Sequence, residues 1–137
     1  MTDIMKATEL MVGDWVFIAG SKPFKINSIY LTDQFERVQE TDDVDAKVES
    51  LQPIPLTPEI LDKNDFEEDD YYFQYTLYLD GKRAKSRCIV VVPQDDDWSE
   101  IDVTVRNGIA DINISIQYVH ELQHAMRLAN IEKEVVL

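Results

Sequence analysis

Residues 101–112 read I-D-V-T-V-R-N-G-I-A-D-I, and this stretch decides the fold of the second half of the chain. Ile101, Val103 and Val105 alternate with polar residues, which is typical of a strand with one buried face and one face in solvent. The pair Asn107 and Gly108 then favours a tight hairpin turn. We therefore predict that residues 109–112 pair back on the preceding strand, in an antiparallel sheet.

A second hairpin is predicted just before this stretch. Aromatic and aliphatic residues alternate over residues 71–79, and Asp80 with Gly81 forms another turn signal. The apolar residues 86–92 can then return as the next strand. Together with the hairpin of residues 101–112, these strands predict a β-meander.

A helix is predicted over residues 115–129, directly after the meander. At 100° per residue, Val119, Leu122 and Met126 share one apolar stripe, which we expect to pack on the sheet. Asn130 can adopt the left-handed conformation that commonly ends a helix.

The first half of the chain predicts a separate, smaller β-unit. Residues 15–18 and 24–30 have strand-like composition, and residues 35–39 and 47–52 are further candidates. Several short strands in about fifty residues favour a small SH3-like antiparallel β-barrel or a curled sheet.

The predicted fold class is therefore α+β, in three segments. Residues 1–52 form the small β-unit, residues 53–64 form a linker with a short helix, and residues 65–137 form the β-meander with its C-terminal helix. A single compact domain is the alternative. In the linker, Thr57 suits a helix N-cap and Pro58 suits the first helical position.

His120, Glu121 and His124 spell the motif H-E-x-x-H within the predicted C-terminal helix, and they include both histidines of the chain. On a helix this spacing can place two zinc ligands one turn apart beside a glutamate that acts as a general base. The helical wheel puts both histidines on the polar side, opposite the apolar stripe. That position suits a metal cleft or two solvent-facing histidines.

A catalytic zinc also needs a third protein ligand, and the motif lacks one. The longer pattern H-E-x-x-H-x-x-G-x-x-H fails, because Arg127 stands at the glycine and Asn130 at the third histidine. We therefore predict no catalytic residue, metal or cofactor. The alternative is a zinc-dependent metallohydrolase, with His120 and His124 as ligands and Glu121 as base.

The other candidate binding residues are a basic cluster and one tryptophan. The cluster is either a solvated hairpin tip or a docking patch for an anionic partner, and Trp98 in its acidic loop could be an exposed anchor. The cluster consists of Lys82, Arg83, Lys85 and Arg87.

The charge of the chain restricts its partners. Thirteen basic residues against 27 acidic ones give a net charge of −14, which repels nucleic-acid phosphates. No apolar run approaches the ~20 residues that span a bilayer. The lone cysteine, Cys88, reads as a small buried hydrophobe, and the first residues lack a signal-peptide pattern, so we expect a cytoplasmic protein.

Three stretches carry a resemblance: residues 9–16 (E-L-M-V-G-D-W-V), 53–61 (P-I-P-L-T-P-E-I-L) and 116–123 (I-Q-Y-V-H-E-L-Q). In this order and spacing they resemble a family of small uncharacterised proteins from gut anaerobic bacteria and their prophages. The resemblance implies no assigned activity, substrate or cofactor. The family's C-terminal segment usually reads Y-V-H-Q-L-Q-N, so Glu121 and His124 depart from it.

These observations favour a non-enzymatic, acidic protein-interaction module of phage or mobile-element origin. Its expected partner is a protein, including a second copy of itself. The metallohydrolase is the first alternative. The second is a nucleic-acid mimic that occupies a basic groove, because an acidic surface can imitate phosphates.

Overall fold

The computed structural model describes residues 5–32, 35–41, 44–69, 73–81 and 87–137. The chain divides into two compact units, Met1–Ile54 and Pro55–Leu137. The described residues form three antiparallel sheets and two α-helices, so the fold is α+β as predicted. No helix within the described ranges is both long and apolar enough to cross a bilayer.

The first unit contains two three-stranded sheets. The strand orders are β2-β1-β6 and β3-β4-β5, so the described part of this unit does not form one closed barrel. The strands are β1 (Trp15–Ile18), β2 (Phe24–Lys25), β3 (Ser28–Leu31), β4 (Glu36–Thr41), β5 (Val44–Lys47) and β6 (Leu51–Pro53).

The strand predicted over residues 24–30 is divided, because the chain changes sheet partners in its middle. Ile26 exchanges backbone hydrogen bonds with Gly13 (2.7 Å) and Asp14 (2.9 Å), whereas the Asn27 N–H donates to the Gln39 carbonyl at 2.8 Å. The alternation of apolar and polar residues indicates which side chains are buried, but it does not indicate which strand the backbone pairs with. It therefore predicts one continuous strand here.

One further strand prediction in this unit needs correction, and one strand is added. Val44–Lys47 form β5 against β4, although the sequence predicts a strand only from residue 47. The strand predicted over residues 47–52 is a 3-10 turn at Val48–Ser50 followed by β6. Val48 still faces the core, because side chains of the turn and the strand are buried in the same cluster.

The second unit contains the predicted meander and C-terminal helix, with two differences. The helix predicted from residue 115 begins at Val119, because the last strand continues to Ile116, and residues 67–68 form an additional strand. The five strands of this unit follow one another in the order β11-β10-β9-β8-β7, and every neighbouring pair is antiparallel. The elements are α1 (Pro58–Lys63), β7 (Glu67–Glu68), β8 (Tyr75–Tyr78), β9 (Arg87–Pro93), β10 (Ile101–Asn107), β11 (Asp111–Ile116) and α2 (Val119–Leu128).

The alternation that decided the fold is present in β10. Ile101, Val103 and Val105 are buried, whereas Asp102 and Arg106 on the other face are exposed. The turn after β10 carries Gly108 at φ 93°, a conformation that glycine adopts without strain. α2 packs against β10 and β11, as predicted for the apolar stripe.

Helix α1 starts as its sequence predicts, and its end fixes the last residues of the chain. The Thr57 Oγ1 accepts the Ile60 N–H at 3.3 Å, with Pro58 in the first turn. The buried Asn64 side chain accepts the Val136 N–H at 2.8 Å and donates to the Val136 carbonyl at 2.7 Å. The last segment is therefore docked on α1, with Val135 buried.

Candidate functional site

Helix α2 carries the H-E-x-x-H residues, and local signals define both its ends. Tyr118 is the N-cap residue in extended conformation. At the other end Asn130 takes φ 58°, its N–H donates to Arg127 (3.1 Å), and the Ile131 N–H donates to Met126 (2.8 Å). These two bonds make a Schellman motif, so the predicted left-handed role of Asn130 is confirmed.

Glu121 contributes to the start of this helix. Its Oε1 accepts the backbone N–H of Gln117 at 3.0 Å and that of Tyr118 at 3.1 Å. The N-terminal N–H groups of a helix lack partners within the helix, and a glutamate at the third helical position can satisfy one by reaching back to the N-cap. The carboxylate is thus engaged with backbone donors.

His120 lies in the interior, with a relative exposure of 5%. Its ring stacks on Tyr118 with centroids 5.9 Å apart and an interplanar angle of 12°, and meets His124 edge to face at 5.6 Å. The expectation of two solvent-facing histidines is therefore wrong for His120, whereas His124 is partly exposed.

The buried arc of α2 is wider than the apolar stripe, which explains this difference. His120 is buried together with Val119 and Leu122, although the helical wheel assigns it to the polar side. Leu128, in contrast, is exposed. Hydrophobicity predicts the centre of a buried face, but the width of that face depends on how many elements surround the helix.

A metal site needs more than the histidine pair. Across the described residues, no group of three or more His, Cys, Asp or Glu side chains is placed to hold a metal ion. The structure therefore brings His120 and His124 together, with Glu121 on the same turn, but supplies no third ligand from the part of the chain that it describes.

Trp98 is partly buried in the loop between β9 and β10. Its backbone takes φ 60°, and its ring packs against Tyr75 with centroids 5.4 Å apart. Ser99 closes the loop by donating its hydroxyl to Asp95 at 2.6 Å and its N–H to the same carboxylate at 3.0 Å. The Ser99 hydroxyl holds the pKa of the Asp95 carboxyl below its ordinary value.

Of the basic cluster, Arg87 alone falls within the described part of the chain. It lies in β9, and its Nη1 contacts the Asp80 Oδ1 at 3.0 Å. Lys82, Arg83 and Lys85 lie outside the described residues.

The structure shows an edge strand with a depression at its end, which the sequence motifs do not indicate. β11 is the last strand in its sheet order, and at its C-terminal end lies a depression of about 440 Å³. The final strand of a meander must be an edge strand, so its position could have been inferred from the sequence. The depression is lined by Ser99, Glu100, Ser115, Ile116, Gln117 and Glu121.

No protein-family model, no curated protein and no solved structure matches this chain.

Proposed function

We propose that this protein is a non-enzymatic protein-interaction module with an acidic surface. The observation that supports this most directly is the bonding of Glu121. A general base must present its carboxylate to the water that it activates. The Glu121 Oε1 instead accepts two backbone N–H groups at the start of α2.

His120 supports the same interpretation. Its ring is buried and stacked on Tyr118, as a core histidine is. A catalytic zinc site keeps one coordination position open to water or substrate, so its ligands border a cleft. The motif therefore serves the packing and the N-terminus of α2.

The net charge indicates the class of partner. A charge of −14 favours association with a basic surface and disfavours direct binding to nucleic acid. The module is cytoplasmic and of phage or mobile-element origin, in line with the buried cysteine Cys88 and with the family resemblance. Its first unit is an SH3-like variant in which two small sheets replace one barrel.

The zinc metallohydrolase is the second candidate, and one observation favours it. The rings of His120 and His124 lie on successive turns with centroids 5.6 Å apart, so two potential zinc ligands are adjacent. In this alternative they are the zinc ligands and Glu121 is the base. Its Oε1 would have to give up its bonds to the helix N-terminus.

Two steps test the proposal: capture of partner proteins on the immobilised chain, and measurement of the binding of one purified partner in solution. The immobilised protein is expected to retain a basic protein that elutes with salt and then binds in solution with a defined stoichiometry. An immobilised acidic protein of similar size and charge is the control. Retention no greater than on the control, together with zinc-dependent peptide or amide hydrolysis, would overturn the proposal.

A further inference from the structure

β11 exposes a row of backbone hydrogen-bonding groups. In an antiparallel pair, residues alternate between pointing their N–H and C=O toward the partner strand and away from it. Asn107 donates to Ala110 at 3.4 Å across the hairpin, which sets Ile112 and Ile114 to face β10. The outward groups are then those of Asp111, Asn113 and Ser115.

An independent contact agrees with this assignment. The next residue in the alternation is Gln117, and its carbonyl accepts the Leu56 N–H at 3.0 Å. This carbonyl points away from β10, as the alternation requires. Residue 56 thus pairs beyond the end of the strand, and within the described residues no strand lies alongside Asp111–Ile116.

The two edges of this sheet differ in how well they are protected against pairing with another chain. Natural edge strands are usually short, charged, bulged or interrupted by proline, because an open edge can recruit another chain. At the opposite edge, β7 consists of two exposed glutamates. β11 has six residues in regular register and contains neither proline nor lysine, and the adjoining Ile109 is 95% exposed.

The side chains around β11 indicate what could pair with it. One face presents the partly exposed Ile112 and Ile114. The other presents Asp111, which pairs with Arg106 of the neighbouring strand at 3.5 Å, and Ser115, which lies opposite the exposed Asp102. At the end of the strand, the depression contains the carboxylates of Glu100 and Glu121 and no cationic side chain among its lining residues. An added strand with alternating apolar and basic residues would match both faces.

A second copy of the chain matches less well. Pairing β11 with itself would bring together two molecules that each carry a net charge of −14. Like charges across an interface suppress association.

We infer that β11 is a docking edge that binds an extended segment of a protein partner, in which apolar residues alternate with lysine or arginine. The segment adds to the sheet as a sixth strand and places a cationic side chain near Glu100. This inference rests on the proposed interaction function and specifies its surface and its partner.

The test uses a fluorescent peptide of about ten residues with alternating lysine and valine, a length sufficient to cover one strand. Fluorescence anisotropy measures its binding to the full chain. Wild type is expected to bind the peptide and to lose about tenfold in affinity between about 50 mM and about 200 mM salt, because the attraction is largely electrostatic. The same peptide with every second amide N-methylated is expected not to bind, because it cannot pair with an edge.

Asn113→Pro and Asn113→Ala form the matched pair of variants. The proline removes an outward N–H that makes no bond within the sheet, so the fold should persist, and peptide affinity should fall by about tenfold or more. The alanine removes the contact with Thr104 (2.7 Å) but keeps that N–H, so affinity should stay within about twofold of wild type. Circular dichroism and the melting temperature confirm folding of each variant.

Each outcome bears on the inference. Equal binding by Asn113→Pro and wild type would place the peptide elsewhere and overturn the docking edge, although the interaction function would stand. Binding of the N-methylated peptide would have the same consequence. If the lysine–valine peptide fails to bind while sedimentation shows dimers that Asn113→Pro disrupts, the edge binds a second copy and the basic partner is wrong. If wild type neither binds this peptide nor dimerises, the inference is also wrong.

Discussion

At the scale of single residues, Glu121 is the position where the structural and catalytic interpretations predict different results. Replacement by alanine removes the acceptor of two backbone N–H groups and should lower the free energy of unfolding by about 1–2 kcal/mol. Urea unfolding measures this loss. The exposed Glu132 is the matched control, and Glu132→Ala should change stability by less than about 0.5 kcal/mol. Equal effects of the two substitutions would contradict the capping role.

His120 and His124 are a second matched pair. His120 is buried and stacked on Tyr118, so His120→Ala should lower the free energy of unfolding by about 2 kcal/mol. His124 is partly exposed, and His124→Ala should cost less than about 1 kcal/mol. Chemical denaturation of both variants in metal-free buffer gives the comparison. A larger loss for His124→Ala would mean that the packing described for α2 is wrong.

The stability that the Asp95 carboxylate contributes to its loop should depend on pH. The hydrogen bonds of this carboxylate determine whether stability rises or falls with pH. Ser99 lowers the pKa of this carboxyl in the folded protein below the ordinary value of 3.8. A lowered pKa stabilises the folded state at pH values above 3.8, and this contribution is lost as the pH falls through the folded-state pKa. The loop around Trp98 should therefore loosen only in strong acid.

A carboxyl titration by NMR measures that pKa directly. Wild-type Asp95 should titrate below 3.8, and Ser99→Ala should move the midpoint upward toward that value. An Asp95 midpoint at or above 3.8 in wild type would refute the proposed effect of the serine.

At the scale of elements, Asn64 joins α1 to the last segment of the chain. Its buried amide makes three hydrogen bonds, two with Val136 and one with the Ile60 carbonyl at 2.7 Å. Asn64→Ala leaves these backbone groups unsatisfied and should lower the free energy of unfolding by about 2–3 kcal/mol. Hydrogen exchange at residues 131–137 should speed up as well.

Asn113→Ala is the control for this prediction. Asn113 is exposed on β11, so its replacement should cost less than about 0.5 kcal/mol and leave exchange at residues 131–137 unchanged. Unchanged exchange in Asn64→Ala would mean that other contacts dock the last segment.

Some elements of this fold could be predicted from the sequence, because local signals determine them. The alternation of Ile101, Val103 and Val105 and the following turn define β10 and its hairpin, and Asn130 marks the end of α2. These features depend on residues close together in the chain.

Other features depend on tertiary surroundings that the sequence does not express. The change of partner at Ile26 and Asn27 follows from their backbone hydrogen bonds to Gly13, Asp14 and Gln39, which are distant in the sequence. The burial of His120 likewise follows from the elements around α2, and no periodicity in the helix indicates it. The H-E-x-x-H residues could be identified by spacing, but the bonds of Glu121 required the structure.

At the scale of the whole molecule, charge and an open sheet edge together support the account of function. A net charge of −14 favours basic partners over nucleic acid, and we propose β11, unpaired on its outer side within the described residues, as the strand with which an extended segment of such a partner pairs. The hydrogen bonds of Glu121 and the burial of His120 support a structural role for the H-E-x-x-H residues in α2. We therefore propose that these residues hold no zinc and that the molecule binds a protein partner.

Elemental analysis of untagged protein, purified without chelator, shows directly whether the H-E-x-x-H residues bind zinc. Melting curves in the presence and absence of EDTA complete the measurement. The account predicts far less than one zinc per chain and a melting temperature that EDTA leaves unchanged, because α2 is held by Glu121 and by packing. Near-stoichiometric zinc that disappears in His120→Ala, together with a melting temperature lowered by EDTA, would contradict the account and favour the metallohydrolase.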